Sequence, residues 1–257
     1  MTRPFDLRQR LARGEKLLAT FVKTTSPQIV EVMATAGFDA LVLDAEHAPF
    51  DAASLDLALM AARGCGLPAL VRVPNKRPDT LLQVLDMGAA GVVVPHVDSA
   101  VEAREIVRAT RYRGGIRGFS ASSRAGGYGT RSMAEHLQRS DGETLVVAQV
   151  ESVAAVAEAE AIGAVEGIDC LFLGPADLAV SMDCSDPRDP RVQAAVATVR
   201  QAALRAGCSF GGFVAGVADA RAWQRSGAGF MVLATDQMLL RQAAIEALAA
   251  VRAPERT

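Results

Sequence analysis

The stretch LVLDAEHAPFD (41–51) passes within a few residues from an apolar run to a cluster of ionisable side chains. Leu41, Val42 and Leu43 are apolar on successive positions, the pattern of a strand covered on both faces. Asp44 ends the run, Glu46 and His47 follow at once, and Pro49 prevents an ordinary helical continuation. Charged groups at the mouth of a doubly covered strand point to a parallel sheet whose strands finish at a polar rim.

The same grammar recurs on both sides. Further strand candidates are LLATFV (17–22), PALVRV (68–73), GVVVPH (91–96), TLVVAQVE (144–151), DCLFLG (169–174), SFGGFV (209–214) and FMVLAT (230–235), with DALVLD (39–44) as the second. Stretches of helical period lie between them. SPQIVEVMATAG has Ser26 as N-cap, Pro27 in the first turn and Gly37 at its end. DQMLLRQAAIEALAAVRA closes the chain. About eight βα units predict a single (β/α)8 TIM-barrel domain over residues 1–257. A doubly wound open sheet is the rival, but strand one ends FVKTTSPQ, without the Gly-rich phosphate turn of that fold. One stretch, residues 111–143, breaks the rhythm with Gly, Ser and Arg and reads as a long excursion. His136 within it is expected to be solvated.

A net charge of −2 gives no basic field for nucleic acid and no polybasic membrane patch. No apolar run approaches the roughly 20 residues that span a bilayer, and the polar N-terminus lacks the apolar centre of a secretory signal. Cys65, Cys170, Cys184 and Cys208 are scattered without a C-x-x-C pair, as in a reducing cytoplasm.

In a parallel barrel, chemistry gathers where strands finish. Collected there are Asp44, Glu46 and His47, then Arg72, His96, Gln149 and Glu151, and finally Asp177 beyond the Gly174-Pro175 turn. Two carboxylates brought together repel unless a proton or a cation intervenes. Glu151 and Asp177, on adjacent predicted strands, therefore suggest a divalent ion with hard oxygen ligands, magnesium or manganese; as helix and turn caps they need none. The turn leading into GPADL exposes backbone N–H groups that suit a carboxylate, and a small 2-oxo acid fits an ion beside such a hole. Arg72 ends an apolar strand, where its charge demands a partner or a polar mouth. It is read as holding an enolate or carboxylate oxygen, or else as a structural ion pair with Glu46 or Asp44. His47 is the candidate proton carrier, with Asp44 and Asp86 as partners. Glu46 is ranked below its neighbour on strand alternation. His96 is read as a rim residue, and Lys23 as a minor Schiff-base candidate.

The segments LVLDAEHAPFD, LVRVP, LLQVLDMGAAGVVVPHVDSAVEA, RGFSASSRAGGYGT, VVAQVES and GIDCLFLGPADLAVSM, in this order, resemble the HpcH/HpaI family of metal-dependent class II pyruvate aldolases. The resemblance runs from about residue 17 to the last helix. It implies a (β/α)8 barrel, a homo-hexamer with an exchanged C-terminal helix, and reversible cleavage of a 4-hydroxy-2-oxo acid to pyruvate and an aldehyde. By position it makes Glu151 and Asp177 the ligands of a magnesium, manganese or cobalt ion, and His47 the base, tuned by Asp44 and Asp86. Arg72 becomes the enolate clamp, and Gln149, Gly174, Pro175 and the Ala176 backbone the substrate contacts. SSRAGGYGT is closer to the keto-deoxy-glucarate branch than to the heptanedioate branch, and VLATDQMLL lacks the Gly-Ser that relatives carry before the Asp. Enolate-forming relatives remain as alternatives, a 2-oxo-acid decarboxylase or a citryl-CoA-type lyase. A non-catalytic binding barrel is the alternative of another class.

Overall fold

The structure, a computed structural model, describes residues 6–253, so the one-domain reading over 1–257 runs past it at both ends. The chain begins with α1 (Leu7–Ala12), β1 (Leu17–Val22), α2 (Pro27–Ala34), β2 (Ala40–Asp44), α3 (Ala52–Gly64) and β3 (Ala69–Arg72). It continues through α4 (Pro78–Asp86), β4 (Gly91–Val94), α5 (Ala100–Thr110), α6 (Met133–Glu143), β5 (Leu145–Val150), α7 (Val153–Gly163) and β6 (Cys170–Leu173). It ends with α8 (Pro175–Ser181), α9 (Pro190–Ala206), β7 (Ser209–Val214), α10 (Val217–Arg225), β8 (Phe230–Thr235) and α11 (Asp236–Arg252).

All eight strands pair in parallel, each with its sequence neighbour, and β8 closes onto β1 to complete the barrel. Side chains alternate along each strand between two cores. Ala40, Val42, Leu70, Val93, Val147, Phe172 and Val232 point into the barrel interior. Leu41, Leu43, Val71, Val92, Val146 and Leu171 point outward and pack with helix residues such as Leu55, Leu81 and Ile162. This double burial is why the strands read as continuous apolar runs. Extending the inward parity by one step puts Asp44 and Arg72 at the barrel mouth, and two steps past Val147 comes Gln149.

The structure adds three helices to the sequence reading. In α1, Leu7 and Leu11 are buried with Leu17, Leu145 and Cys170, each at the start of a strand, so this helix plugs the N-terminal opening of the barrel. In α3, Asp51 accepts from the Ser54 N–H at 2.7 Å while the Ser54 hydroxyl receives the Asp51 N–H, a reciprocal cap. The third, α6, lies inside the 111–143 excursion, with Ser132 capping Glu135 N–H. It overturns one expectation: His136 is buried, 2 % exposed, not solvated. Its Nε2 is 3.0 Å from the Tyr112 hydroxyl and its ring packs on Tyr112 and Phe119, because α6 turns that face toward the excursion's own aromatics. No helix among the described residues is long and apolar enough to cross a membrane.

Candidate active site

Asp44 and Arg72 are register partners on β2 and β3. Arg72 Nε donates to Asp44 Oδ1 at 2.9 Å and Nη2 to Oδ2 at 2.8 Å, a two-point pair. Asp44 is fully buried. Burial alone would raise its carboxyl, yet the hydrogen bonds and charge of Arg72 hold it below the ordinary carboxylate value. Lys23 Nζ stands 3.4 Å from Asp44 Oδ2, so its ammonium is engaged in an ion pair. The Arg72 guanidinium lies over the Phe21 ring, 4.4 Å from its centroid. Two of its donors are taken by Asp44; Nη1 faces Glu46 Oε2 at a looser 3.4 Å.

Strand β2 stops at Asp44, and residues 45–47 form a turn. Alternation therefore does not govern Glu46 and His47, and it is Glu46 that turns inward. The Glu46 side chain is 11 % exposed, that of His47 52 %. The His47 backbone N–H donates to Asp44 Oδ1 at 3.1 Å, while its ring Nε2 is 3.5 Å from Glu46 Oε2. Asp44 thus orients the His47 backbone, and Glu46 is the carboxylate its imidazole faces. Asp86, the other expected partner, accepts from Arg117 Nη2 at 2.7 Å and forms no ion pair with His47 among the described residues. It sits at the C-terminal end of α4, and α4 returns the chain to the opposite end of the barrel from the rim.

His96 is a rim residue as expected, its side chain 61 % exposed, but it has acidic neighbours in space that the sequence does not show. It follows β4 with φ of 53°, a left-handed backbone that a non-glycine residue adopts only when its surroundings enforce it. Its N–H donates to Glu151 Oε1 at 2.8 Å, and its Nδ1 lies 2.9 Å from the same oxygen. Glu46, His96 and Glu151 together offer three ligand atoms within 4.8 Å of one another. Burial pushes the Glu46 carboxyl up, opposed by the charge of Arg72 and reinforced by that of Glu151. Sequence reading missed this triad because a turn's side-chain directions are not encoded in periodicity.

The other oxygen of Glu151 faces a different group. Gln149 Nε2 donates to Glu151 Oε2. A Cβ placed on Gly174 would lie 3.1 Å from Glu151 Oε2, 3.3 Å from Gln149 Nε2 and 3.4 Å from Asp177 Oδ2. Glu151, Gln149 and Asp177 thus crowd one point, and glycine leaves it open. Asp177 is in the first turn of α8, with Pro175 at its start and no side chain capping the helix.

This donor set suits a divalent cation. The carboxylates of Glu151 and Asp177 approach one another across Gly174, and Glu46 Oε2 is buried without a hydrogen-bond partner. Clustered carboxylate oxygens are hard ligands of the kind magnesium and manganese take.

A closed barrel with an acidic, arginine-anchored mouth at the C-terminal ends of its strands defines a (β/α)8-barrel enzyme. The family described as HpcH/HpaI aldolase/citrate lyase matches residues 17–243, and the chain belongs to it. It is 37 % identical over 254 residues to a hydroxypyruvate/pyruvate aldolase of Paraburkholderia phytofirmans, covering 96 % of this chain and 97 % of that one. It is 35 % identical over 242 residues to a 5-keto-4-deoxy-D-glucarate aldolase of Shigella boydii, covering 93 % of each. Its fold superposes on an HpcH/HpaI aldolase/citrate lyase family protein of Burkholderia cenocepacia with a TM-score of 0.92 at 36 % identity, over 96 % of this chain and 99 % of that one.

Proposed function

We propose that the chain is a divalent-metal-dependent pyruvate aldolase that reversibly cleaves a 4-hydroxy-2-oxo acid to pyruvate and an aldehyde. The names of its aldolase relatives support this reading. The observation that carries it is the approach of Glu151 Oε2 and Asp177 Oδ2 to one point beside Gly174, under the mouth that holds Arg72.

Glu151 and Asp177 hold the ion, with His96 on the other oxygen of Glu151 and Glu46 beside His96. The bound cation supplies Lewis-acid stabilisation of the negative charge that develops on the 2-oxo acid. Gln149 orients Glu151 from the side and faces the substrate. The uncapped start of α8, at Ala176, receives the substrate carboxylate on backbone N–H groups. Asp44 fixes the Arg72 guanidinium in plane and leaves Nη1 to donate to the developing enolate oxygen. His47, the more exposed of the turn's two ionisable groups, removes the proton from the C4 hydroxyl. The C3–C4 bonding pair passes into the enolate, the aldehyde leaves, and a proton returned to C3 completes pyruvate. The half-exposed position of His47 suits a group that exchanges protons with an entering substrate.

Copies of the chain associate through α11, whose Leu240, Leu248 and Val251 are exposed, and the enzyme works in the cytoplasm, where its free cysteines are stable. The deciding assay couples pyruvate release to lactate dehydrogenase across a panel of hydroxy-oxo acids. Activity is expected to vanish with EDTA and return with added manganese or magnesium. Full activity in EDTA overturns the metal reading, and no pyruvate from any member of the panel overturns the aldolase reading.

A further inference from the structure

At the end of the barrel opposite the mouth lies a cavity of about 290 Å³, bordered by Ala90 and Thr144, the residues just before β4 and β5. Four arginines line it: Arg63 from α3, Arg117 and Arg131 from the excursion, and Arg139 from α6. Arg139 is balanced by Glu143 at 3.3 Å, and Arg117 by Asp86 at 2.7 Å. Arg63 and Arg131 have no carboxylate within ion-pair distance among the described residues. The Arg117 side chain is 1 % exposed, and its Nε has no hydrogen-bond acceptor. Burial, then the charges of Arg139 and Arg63, press the Arg131 guanidinium below its ordinary value, with Glu135 and Glu143 pulling the other way, and its Nη1 donates to the Ala125 carbonyl at 2.6 Å. Arg63 is exposed and Arg131 half-buried, so solvent carries part of their charge; the costly group is the buried Arg117 Nε, a donor left unpaired unless an anion reaches it.

We propose that this cavity is a binding site for a compact dianion, separate from the catalytic mouth. Guanidinium forks match the paired oxygens of phosphate and carboxylate groups. The volume is near the lower end for small-molecule sites, about 300 Å³, so the occupant is a phosphate, a small phosphomonoester or a short dicarboxylate. Arg63 and Arg131 supply the unspent charge, and Arg117 supplies a preorganised donor held by Ser140 Oγ at 2.8 Å and by Asp86. Because Arg117, Arg131 and α6 belong to the same excursion, occupancy ties this segment to α3.

The test is calorimetry on the full chain, dialysed into chloride buffer with pyruvate saturating the mouth. Inorganic phosphate, glycerol phosphate and malate serve as separate probes, and their ranking distinguishes phosphate from dicarboxylate chemistry. Saturable binding of at least one probe is expected, weakening as salt rises. The Arg63→Gln/Arg131→Gln double variant is expected to lose at least tenfold in affinity while keeping its pyruvate-forming rate. Arg63→Lys/Arg131→Lys, which keeps the charge without the fork, is expected to fall between the two and guards against a folding defect. Absence of saturable binding by every probe, or equal affinity in the parent and both variants, overturns the proposal.

Discussion

Arg72 and Asp44 face each other in register on adjacent strands, joined at two points by 2.8 and 2.9 Å hydrogen bonds. A fully buried carboxylate meets its counter-charge without help from solvent. Breaking such a pair from one side leaves a buried charge uncompensated, at a cost of about 3–5 kcal/mol. Arg72→Met is therefore expected to lower the urea midpoint markedly, with Lys23 rescuing part of the loss through its 3.4 Å approach to Asp44. Equilibrium unfolding of Arg72→Met, Lys23→Met and the double variant checks this. A double variant no less stable than the sum of the singles would show that Lys23 does not share the load.

The proposed ligands of the ion are distinguishable by affinity. Asp177→Asn removes an oxygen charge on the Oε2 side of Glu151, whereas His96→Gln acts on the Oε1 side. Manganese titrations followed by electron paramagnetic resonance are expected to show a loss of at least tenfold for Asp177→Asn and a smaller loss for His96→Gln. The reverse order would place the ion within the Glu46–His96–Glu151 triad.

His47→Ala is expected to cut the rate of pyruvate formation by about 10²–10⁴, the usual worth of a positioned acid–base group. Manganese affinity should stay within about twofold, since the imidazole contacts Glu46 and neither Glu151 nor Asp177. Parallel kinetics and metal titration check both halves; a rate within a few-fold of the parent would remove His47 from the chemistry.

The eight strands were legible because burial on both faces writes itself as unbroken apolar runs, and 17–22, 209–214 and 230–235 agree with the structure to the residue. The strand ends pointed to the mouth for the same reason, since inward parity carries Ala40 and Val42 on to Asp44. Glu46 and His96 were not legible. Their directions are set by a turn at 45–47 and by a positive φ at 96, neither of which has a period. The burial of His136 was hidden too, because its partners Tyr112 and Phe119 come from an irregular segment whose path is fixed only by tertiary contacts.

Gly211 in β7 shows how closely the barrel is drawn. A Cβ there would lie 1.6 Å from the Phe230 carbonyl oxygen on β8, a backbone atom that cannot step aside. Gly211→Ala is expected to force apart the β7–β8 pairing and lose the soluble fold, whereas Gly142→Ala, inside α6 with open space around it, should be nearly silent. Soluble yield and circular dichroism of the two variants check the contrast.

His136 predicts how acid weakens the fold. Burial, followed by the charges of Arg117 and Arg131, holds its folded-state value below the ordinary 6.5, while Asp86 pulls weakly the other way. The unfolded chain then binds the proton more readily than the native one, so ∂ΔG/∂pH for unfolding is positive. The stabilising contribution is complete above pH 6.5 and drains away as pH falls through that value toward the lower folded one. One such group contributes a slope of at most about 1.4 kcal/mol per pH unit. Urea midpoints from pH 7.5 to 5.5, in a buffer free of phosphate and carboxylates so that no oxyanion sits among the arginines, should fall more steeply for the parent than for His136→Phe. The phenyl ring keeps the packing on Tyr112 and Phe119 and has no proton to gain. Parallel slopes in the two proteins would mean that His136 titrates as freely in the fold as in the open chain.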